Sequence, residues 1–441
     1  MTYRQPSRRK WASPSILVAA AFVFAACETT PPRPPAPIST GTPRPAPGTV
    51  PIEQAELGTE EEGLGDIEGD AEEIDFGYTP PHMAGRDIKR AAVLLPFSHP
   101  RANVRAEAES MLAGIELAMF NRDEETFLIL PKDTAGKRST AQARAEEAIE
   151  EGVDIIIGPL FSANVQTVRE PAAEAGIPVV AFSNVKAAAG DGAYLISVAP
   201  EEEVARIVEV ATDRGIEAYA FLGPDSAYGR RVEEALRFEA FRTGARMISS
   251  AFYDPANDAP VDEARQVATA IIFEAEQNPG KVAVLIPEGG VKLRGVAPLL
   301  PYYEVDTRQI VMLGTSLWND DSVWREPTLI GGLFPAPDPE TVSRFEDEFE
   351  RIYSREPTSL ASIGYDAGAL ASALASADAL TAEGVVQPDG FFGVNGLFRF
   401  RPDGIAERNL AVLEISVEDG AIVVAPGRES FDDPVTIDPA G

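Results

Sequence analysis

Residues 153–165 read VDIIIGPLFSANV, an apolar strand followed at once by a turn and the start of a helix. The run at 154–157 is continuously apolar, which favours a strand buried on both faces of a parallel sheet. Gly158 and Pro159 are turn residues, and a helix is predicted over 164–175. The stretch therefore predicts the strand–turn–helix unit from which parallel α/β sheets are built.

The same unit recurs on both sides of this stretch. Strands and helices alternate before it, at 90–96, 106–122, 126–130 and 139–151. Strands follow at 178–182 and 194–198, and the alternation then restarts, with helices at 201–214, 227–243 and 261–277 and strands at 218–222, 247–253, 282–286, 310–313 and 331–334. This repetition predicts doubly wound parallel sheets flanked by helices, with right-handed crossovers.

Two rounds of alternation predict two α/β lobes that face one another across a cleft. The first lobe is predicted over about 89–199 with parts of the C-terminal region, and the second over about 200–335. Helices at 338–355 and 358–380 and a hairpin region at 391–425 complete the body, and 426–441 is predicted to be a disordered tail. Ligands of open α/β sheets bind beyond the carboxyl ends of the strands, so the cleft is the predicted site.

The composition argues against several classes of partner and site. The 441 residues carry a formal net charge of -32 at pH 7, which disfavours nucleic acid as a partner. One cysteine, Cys27, and two histidines, His82 and His99, offer no ligand set for zinc or copper, so we predict no metal and no cofactor. The sequence has no nucleophile elbow, phosphate loop or zinc-protease motif, and we predict that the protein is not an enzyme.

Residues 1–27 have the features of an export signal. Four basic residues between 4 and 10 precede the apolar run ILVAAAFVFAA at 16–26, which is too short for a permanent membrane span. The run ends at Phe24-Ala25-Ala26-Cys27, which resembles the lipobox of bacterial lipoproteins and implies lipidation of Cys27; a plain signal peptide is the alternative. Glu28 favours sorting to the outer membrane, so we predict a periplasmic protein held there by lipid.

Residues 28–88 are predicted to be a disordered tether between the lipid anchor and the folded body. Nine prolines between 31 and 51 favour an extended, semi-rigid segment. Eleven acidic residues and no basic ones lie between 53 and 75, and their mutual repulsion opposes folding. We interpret the segment as a solvated spacer; docking of its acidic part onto a basic partner is the alternative.

Several stretches within 89–425 together resemble the type I periplasmic binding proteins of the leucine/isoleucine/valine-binding class. They include VDIIIGPLFSANV at 153–165, AGIPVVAFSN at 175–184 and GPDSAYGRRVEEAL at 223–236. With the lipobox and the tether, the chain also resembles the penicillin-binding-protein activator lipoproteins, which stimulate a peptidoglycan synthase. The helical-repeat domain of those activators is absent from this sequence, and the tether stands in its place.

The resemblance implies a set of ligand-contacting residues in the cleft. Hydroxyls and backbone amides after the third and fourth strands hold the ligand carboxylate in amino-acid-binding relatives, and an aromatic residue packs on the ligand. The candidates are Ser162, Ser183, Asn184, Tyr228, Glu288, Ser316 and Trp318. Each also has a structural interpretation: helix cap, turn, hinge packing, loop charge or core packing.

One departure bears on the ligand. The amino-acid binders place an acidic residue just after the strand at 310–313 to pair with the ligand ammonium, whereas this sequence has Gly314-Thr315-Ser316. A buried ammonium without a partner is costly, so the ordinary amino acids are disfavoured. We predict a non-catalytic regulator of peptidoglycan synthesis that binds a penicillin-binding protein; the alternative is the solute-binding protein of an amino-acid-type ABC importer, with a small amino-acid-like solute and a permease as partners.

Overall fold

The computed structural model describes residues 80, 83, 85–122 and 126–431. The predicted leader at 1–27, with Cys27, lies outside the described residues. So do most of the predicted tether at 28–88 and most of the predicted tail at 426–441.

The first sheet is built from short, fully apolar strands. Its strands are β1 (Lys89–Leu95), β2 (Phe127–Asp133), β3 (Ile155–Ile157), β4 (Val179–Ala181) and β5 (Ala193–Leu195). They pair in parallel in the order β2-β1-β3-β4-β5. The helices between them are α1 (Ala102–Phe120), α2 (Arg138–Glu150) and α3 (Ser162–Glu174).

The chain then forms a second sheet, whose first five strands follow the same order as those of the first sheet. Its first five strands are β6 (Ala218–Pro224), β7 (Arg246–Tyr253), β8 (Val282–Leu285), β9 (Ile310–Leu313) and β10 (Leu333–Ala336). The helices are α4 (Pro200–Asp213), α5 (Ala227–Thr243), α6 (Val261–Gln277), α7 (Gly290–Val296), α8 (Leu299–Tyr302) and α9 (Asp321–Trp324).

The C-terminal region contributes elements to the packing of both sheets and strands to the second. It comprises α10 (Pro339–Tyr353), α11 (Ala361–Ser376), α12 (Ala382–Val385), β11 (Phe391–Gly393), β12 (Gly396–Phe400), β13 (Ala406–Arg408), β14 (Ala411–Ser416) and β15 (Gly420–Ala425). The antiparallel pair β14 and β15 joins the second sheet, whose order is β15-β14-β10-β9-β8-β6-β7. The second sheet therefore extends beyond the predicted limit of about 335.

Each sheet is covered on both faces, as its apolar strands require. On the first sheet, α1 and α11 bury one face, together with the small sheet β11-β12-β13, and α2 and α3 bury the other. On the second sheet, α6 to α8 bury one face and α4 and α5 the other. We call the first assembly, with α10 to α12, lobe 1 and the second lobe 2. The predicted α/β class with two doubly wound lobes is confirmed.

Helix α1 and helix α11 approach closely because glycine lies at their contact. A Cβ on Gly114 would collide with the Ala361 carbonyl oxygen, and one on Gly364 would collide with the Met111 carbonyl oxygen. Tight backbone contact lets α11, which is far away in sequence, seal the apolar face of lobe 1.

Three chain segments connect the lobes: the one between β5 and α4, the one between β10 and α10, and the one between β13 and β14. Arg408, fully buried at the end of β13, pairs with Asp366 of α11 at 2.8 Å. The same guanidinium donates to the Ile196 carbonyl oxygen at 3.1 Å. One arginine therefore ties the first connecting segment to the third.

Candidate functional site

A cleft of about 820 Å³ lies between the lobes, within the volume range of small-ligand sites. Its lobe 1 wall comes from the segments after β3, β4 and β5 and from the starts of α10 and α11. Its lobe 2 wall comes from the start of α4, the start of α5 and the segment after β9. The carboxyl ends of both parallel sheets thus converge on it, where the sheet topology predicts a ligand.

On the lobe 1 wall the structure brings together Ser162, Ser183 and Asn184. Ser162 is the first residue of α3, whose N-cap residue, Phe161, makes no capping hydrogen bond with its side chain. The backbone N–H groups of a first helical turn carry partial positive charge and lack intrahelical partners. The Ser183 hydroxyl accepts a hydrogen bond from the Val185 amide at 3.1 Å, so it also has a turn-forming role.

On the lobe 2 wall, Tyr228 and Ser316 face the cleft. Tyr228 stands in the first turn of α5, which begins because the Ser226 hydroxyl accepts from the Gly229 amide at 3.0 Å. The Tyr228 hydroxyl donates to the Thr315 hydroxyl at 2.9 Å, which fixes the ring. Burial, and then the nearby Glu203 carboxylate, raise the pKa of Tyr228, so the phenol is neutral.

Glu203 is a cleft residue that the sequence analysis missed. It lies in the first turn of α4, is 6% exposed, and accepts hydrogen bonds from the Ser316 hydroxyl and, at 3.4 Å, from the Ser316 amide. Burial raises its pKa to about 7, against the opposing hydrogen bonds. It therefore stands beside Gly314-Thr315-Ser316, a stretch that has no acidic residue of its own.

A signal for Glu203 exists in the run Pro200-Glu201-Glu202-Glu203. Successive residues of a helix point in different directions, so three adjacent carboxylates at the start of one helix are expected to have different surroundings. Glu201 pairs with Arg231 at 2.7 Å and Glu202 pairs with Arg401 at 2.7 Å. The third carboxylate is the one that reaches the cleft.

Two predicted cleft residues do not line it. Trp318 is fully buried in the core of lobe 2, and its indole N–H donates to the Ile286 carbonyl oxygen at 3.1 Å. Glu288 follows β8 and accepts from the Tyr253 hydroxyl at 2.7 Å. Both positions are corrections to the sequence analysis. The large apolar indole of Trp318 packs into the core of lobe 2, and the carboxylate of Glu288 is held by Tyr253 of the same lobe.

Two contacts of the described residues cross between the lobes beside the cleft. The Arg231 guanidinium of α5 donates to the Asn184 carbonyl oxygen of lobe 1 at 3.0 Å. Arg401, in the turn before β13, forms an ion pair with Glu202 of α4. The cleft is able to hold a small solute between its two walls. The contacts of Arg231 and Arg401 limit how far apart the two walls lie.

The described part of the chain holds no group of three or more His, Cys, Asp or Glu side chains arranged to bind a metal ion. Among the helices of residues 85–122 and 126–431, none has the length and apolar character needed to cross a membrane.

Comparison with known proteins gives a consistent result for the fold. A model of a family described as periplasmic binding protein matches residues 90–421. A putative branched-chain amino acid ABC transporter from Rhodospirillum rubrum superposes with a TM-score of 0.66 at 18% identity, covering 76% of this chain and 100% of that one. Full-length LpoA from Haemophilus influenzae superposes with a TM-score of 0.57 at 16% identity, covering 77% of this chain and 59% of that one.

Among curated sequences, an uncharacterised protein of Rickettsia prowazekii (strain Madrid E) is 20% identical over 223 residues. The match covers 50% of this chain and 58% of that protein, so the chain spans little more than half the length of this relative.

Proposed function

The chain belongs to the periplasmic binding protein family, and we propose that it is a non-catalytic periplasmic receptor that binds a small solute between its lobes. The observation that carries the proposal is the cleft of about 820 Å³, walled by segments at the carboxyl ends of the parallel strands of both sheets. Hydroxyls and free helix N–H groups on one wall face a buried carboxylate on the other. Such convergent polar groups in a mainly apolar pocket orient small ligands.

Binding would draw the lobes together. A solute that contacts both walls favours the closed arrangement by its differential affinity for the two states. The residues we propose as contacts are Ser162, Ser183, Asn184, Tyr228, Glu203 and Ser316.

The proposal is tested by a thermal-shift screen of small metabolites on the full-length protein, followed by calorimetry on each hit. We expect at least one solute to bind with micromolar affinity and to lose roughly tenfold or more in affinity with Tyr228→Ala, about 1.4 kcal/mol. Tyr302→Ala is the matched control, because Tyr302 is 75% exposed and lies outside the cleft lining. A broad screen without any hit contradicts the proposal.

A second candidate function is regulation of peptidoglycan synthesis through a penicillin-binding protein. It is supported by the lipobox-like Cys27 with its tether, and by the similarity of fold to LpoA. Adding the purified full-length protein to a purified penicillin-binding protein tests it. Faster glycan polymerisation or peptide cross-linking would favour regulation, and unchanged synthase rates together with a solute hit would favour the receptor.

We also propose that Cys27 carries acyl chains that anchor the mature protein to the outer membrane. Intact-mass measurement of the protein purified from membranes is expected to show cleavage before Cys27 and the added mass of acyl chains. A Cys27→Ser variant should be released into the soluble periplasmic fraction. A mature chain without acyl mass would contradict the anchor but not the receptor.

A further inference from the structure

The charged side chains that line the cleft have one sign. Two carboxylates line it, Glu203 from lobe 2 and Glu346 from lobe 1, and none of the described residues that line it is Lys, Arg or His. Arg231, beside the cleft, is already engaged by Glu201 and Asn184. An anionic solute would therefore meet two carboxylates and no cationic side chain among these lining residues, with only the partial positive charge of the first turn of α3 to attract it.

Glu203 retains unused capacity as an acceptor. Its two oxygens have about four lone-pair positions, and Ser316 occupies two of them. The side chain is almost fully buried, so its ionised form lacks solvation and has no cationic partner within the described residues. A positively charged group in the cleft would supply that partner, and the low local dielectric would strengthen the attraction between the two charges.

Glu346 supplies the second negative point from the opposite lobe. It lies on α10, and its partial burial, followed by the neighbouring carboxylates of Asp347 and Glu356, raises its pKa. Much of the residue is still exposed, on the open cleft wall. Closure of the lobes over an empty cleft would remove water from it without providing a counter-charge, which is unfavourable.

Aromatic rings complete the lining. Phe161, Phe182 and Phe345 from lobe 1 and Tyr228 from lobe 2 border the cavity. Ring faces attract cations and also accommodate the alkyl stem of an amine. Carboxylates together with aromatic rings form the usual surroundings of a bound ammonium group.

We infer that the cleft binds an organic dication, an apolar chain with an amino group at each end, one ammonium on Glu203 and the other on Glu346. The inference rests on the proposed receptor function and names the class of its solute. A dication neutralises one carboxylate in each lobe, and so removes the charge that opposes closure. A zwitterionic amino acid satisfies one carboxylate and leaves the other unpaired.

Calorimetry on the full-length protein at pH 7 tests the inference with matched probes. Cadaverine, a five-carbon diamine, is compared with pentylamine, leucine and glutarate, which represent a monoamine, a zwitterion and a dianion. We expect cadaverine to bind at least tenfold more tightly than pentylamine, and glutarate not to bind. Glu346→Gln should reduce the affinity for cadaverine to that for pentylamine, and Glu350→Gln, an exposed carboxylate of the same helix outside the cleft, should leave it unchanged.

Proton release on binding tests the role of Glu203 separately from that of Glu346. Because its pKa in the empty cleft is about 7, binding of an ammonium group at pH 7 should release a proton. The measured heat should then vary with the ionisation enthalpy of the buffer, and this dependence should disappear in Glu203→Gln. Glutamine is nearly the same size as glutamate, and a melting curve of the variant verifies that it is folded.

The outcomes separate the inference from the proposed function. If leucine or another solute without two amino groups binds and cadaverine does not, the inference of a dicationic solute is wrong and the proposed receptor function holds. If pentylamine binds as tightly as cadaverine, the role of Glu346 is wrong. If neither these probes nor a broad metabolite screen gives binding, both proposals fall.

Discussion

At the scale of single residues, the burial of Glu203 has a thermodynamic consequence in the empty protein. A carboxyl whose pKa is higher in the folded than in the unfolded chain holds extra protons in the folded state between the two values. For Glu203 the interval runs from 4.5 to about 7. Its contribution to folding therefore becomes less favourable as the pH rises through that interval.

Replacing Glu203 by glutamine should remove this pH dependence. Relative to the unmodified protein, Glu203→Gln should gain unfolding free energy between pH 5 and pH 8, by up to about 3 kcal/mol at 1.36 kcal/mol per pKa unit. Urea unfolding at the two pH values measures the gain. Glu350→Gln serves as the control, and an equal pH response in both variants would show that Glu203 is not the group concerned.

The fully buried pair Asp366–Arg408 makes a second residue-scale prediction. Asp366→Ala leaves a guanidinium in the interior without its counter-charge, and we expect a loss of about 3–5 kcal/mol of unfolding free energy. Glu407 lies next to Arg408 on β13; Glu407→Ala breaks its half-exposed pair with Arg399 of the neighbouring strand β12 and should cost less than about 1 kcal/mol. Denaturant midpoints compare the two, and similar losses would refute the distinction.

The sequence predicted part of the candidate site, and its misses have physical reasons. Ser162, Ser183, Asn184, Tyr228 and Ser316 come together at the cleft, because the carboxyl ends of parallel strands must converge; their roles in binding stay predictions. Glu203 was missed because it reaches the site from the first turn of α4, a helix that does not follow a strand of its own lobe.

At the scale of elements, two long helices were predicted to the residue, the other long helices were predicted with shifted bounds, and the shortest helices were missed. Helices α5 and α6 match the predicted 227–243 and 261–277. Ser226 caps the start of α5, and Gly244, with a φ of 79°, ends it in the left-handed region. The four-residue helices α8 and α9 and the three-residue strands β11 and β13 are too short to show a hydrophobic period.

The contact of α1 with α11 should tolerate no side chain at its centre. We expect Gly364→Ala to destabilise the protein by about 1–3 kcal/mol, since the Cβ would collide with the Met111 backbone. Gly295→Ala in α7 is the control: its Cβ would lie 3.4 Å from the Asp258 carbonyl oxygen, and alanine favours helix. Thermal melts that show no loss for Gly364→Ala would contradict the tight contact.

At the scale of the whole molecule, the first five strands of each lobe have the same order, and contacts beside the cleft link the lobes. Arg231 reaches from lobe 2 to the backbone of Asn184 in lobe 1. A hydrogen bond from a charged donor contributes about 1.5–3 kcal/mol, so its loss should shift the balance towards open lobes.

Arg231→Ala should therefore weaken solute binding by roughly tenfold, mainly through faster dissociation. Small-angle scattering of the empty variant should give a larger radius of gyration than that of the unmodified protein. Arg230→Ala is the control, because Arg230 pairs with Asp225 inside lobe 2. Unchanged dissociation in Arg231→Ala would show that the contact does not govern closure.

The C-terminal region completes both lobes, and this also dictates when the protein is able to fold. Lobe 1 exposes the apolar face of α1 until α11 arrives, and lobe 2 keeps an open sheet edge at β10 until β14 pairs with it. Neither lobe is able to complete its fold while the C-terminal region has still to be synthesised or exported. A nascent or exported chain would thus depend on chaperones until nearly all of it has emerged, and both lobes would then fold cooperatively.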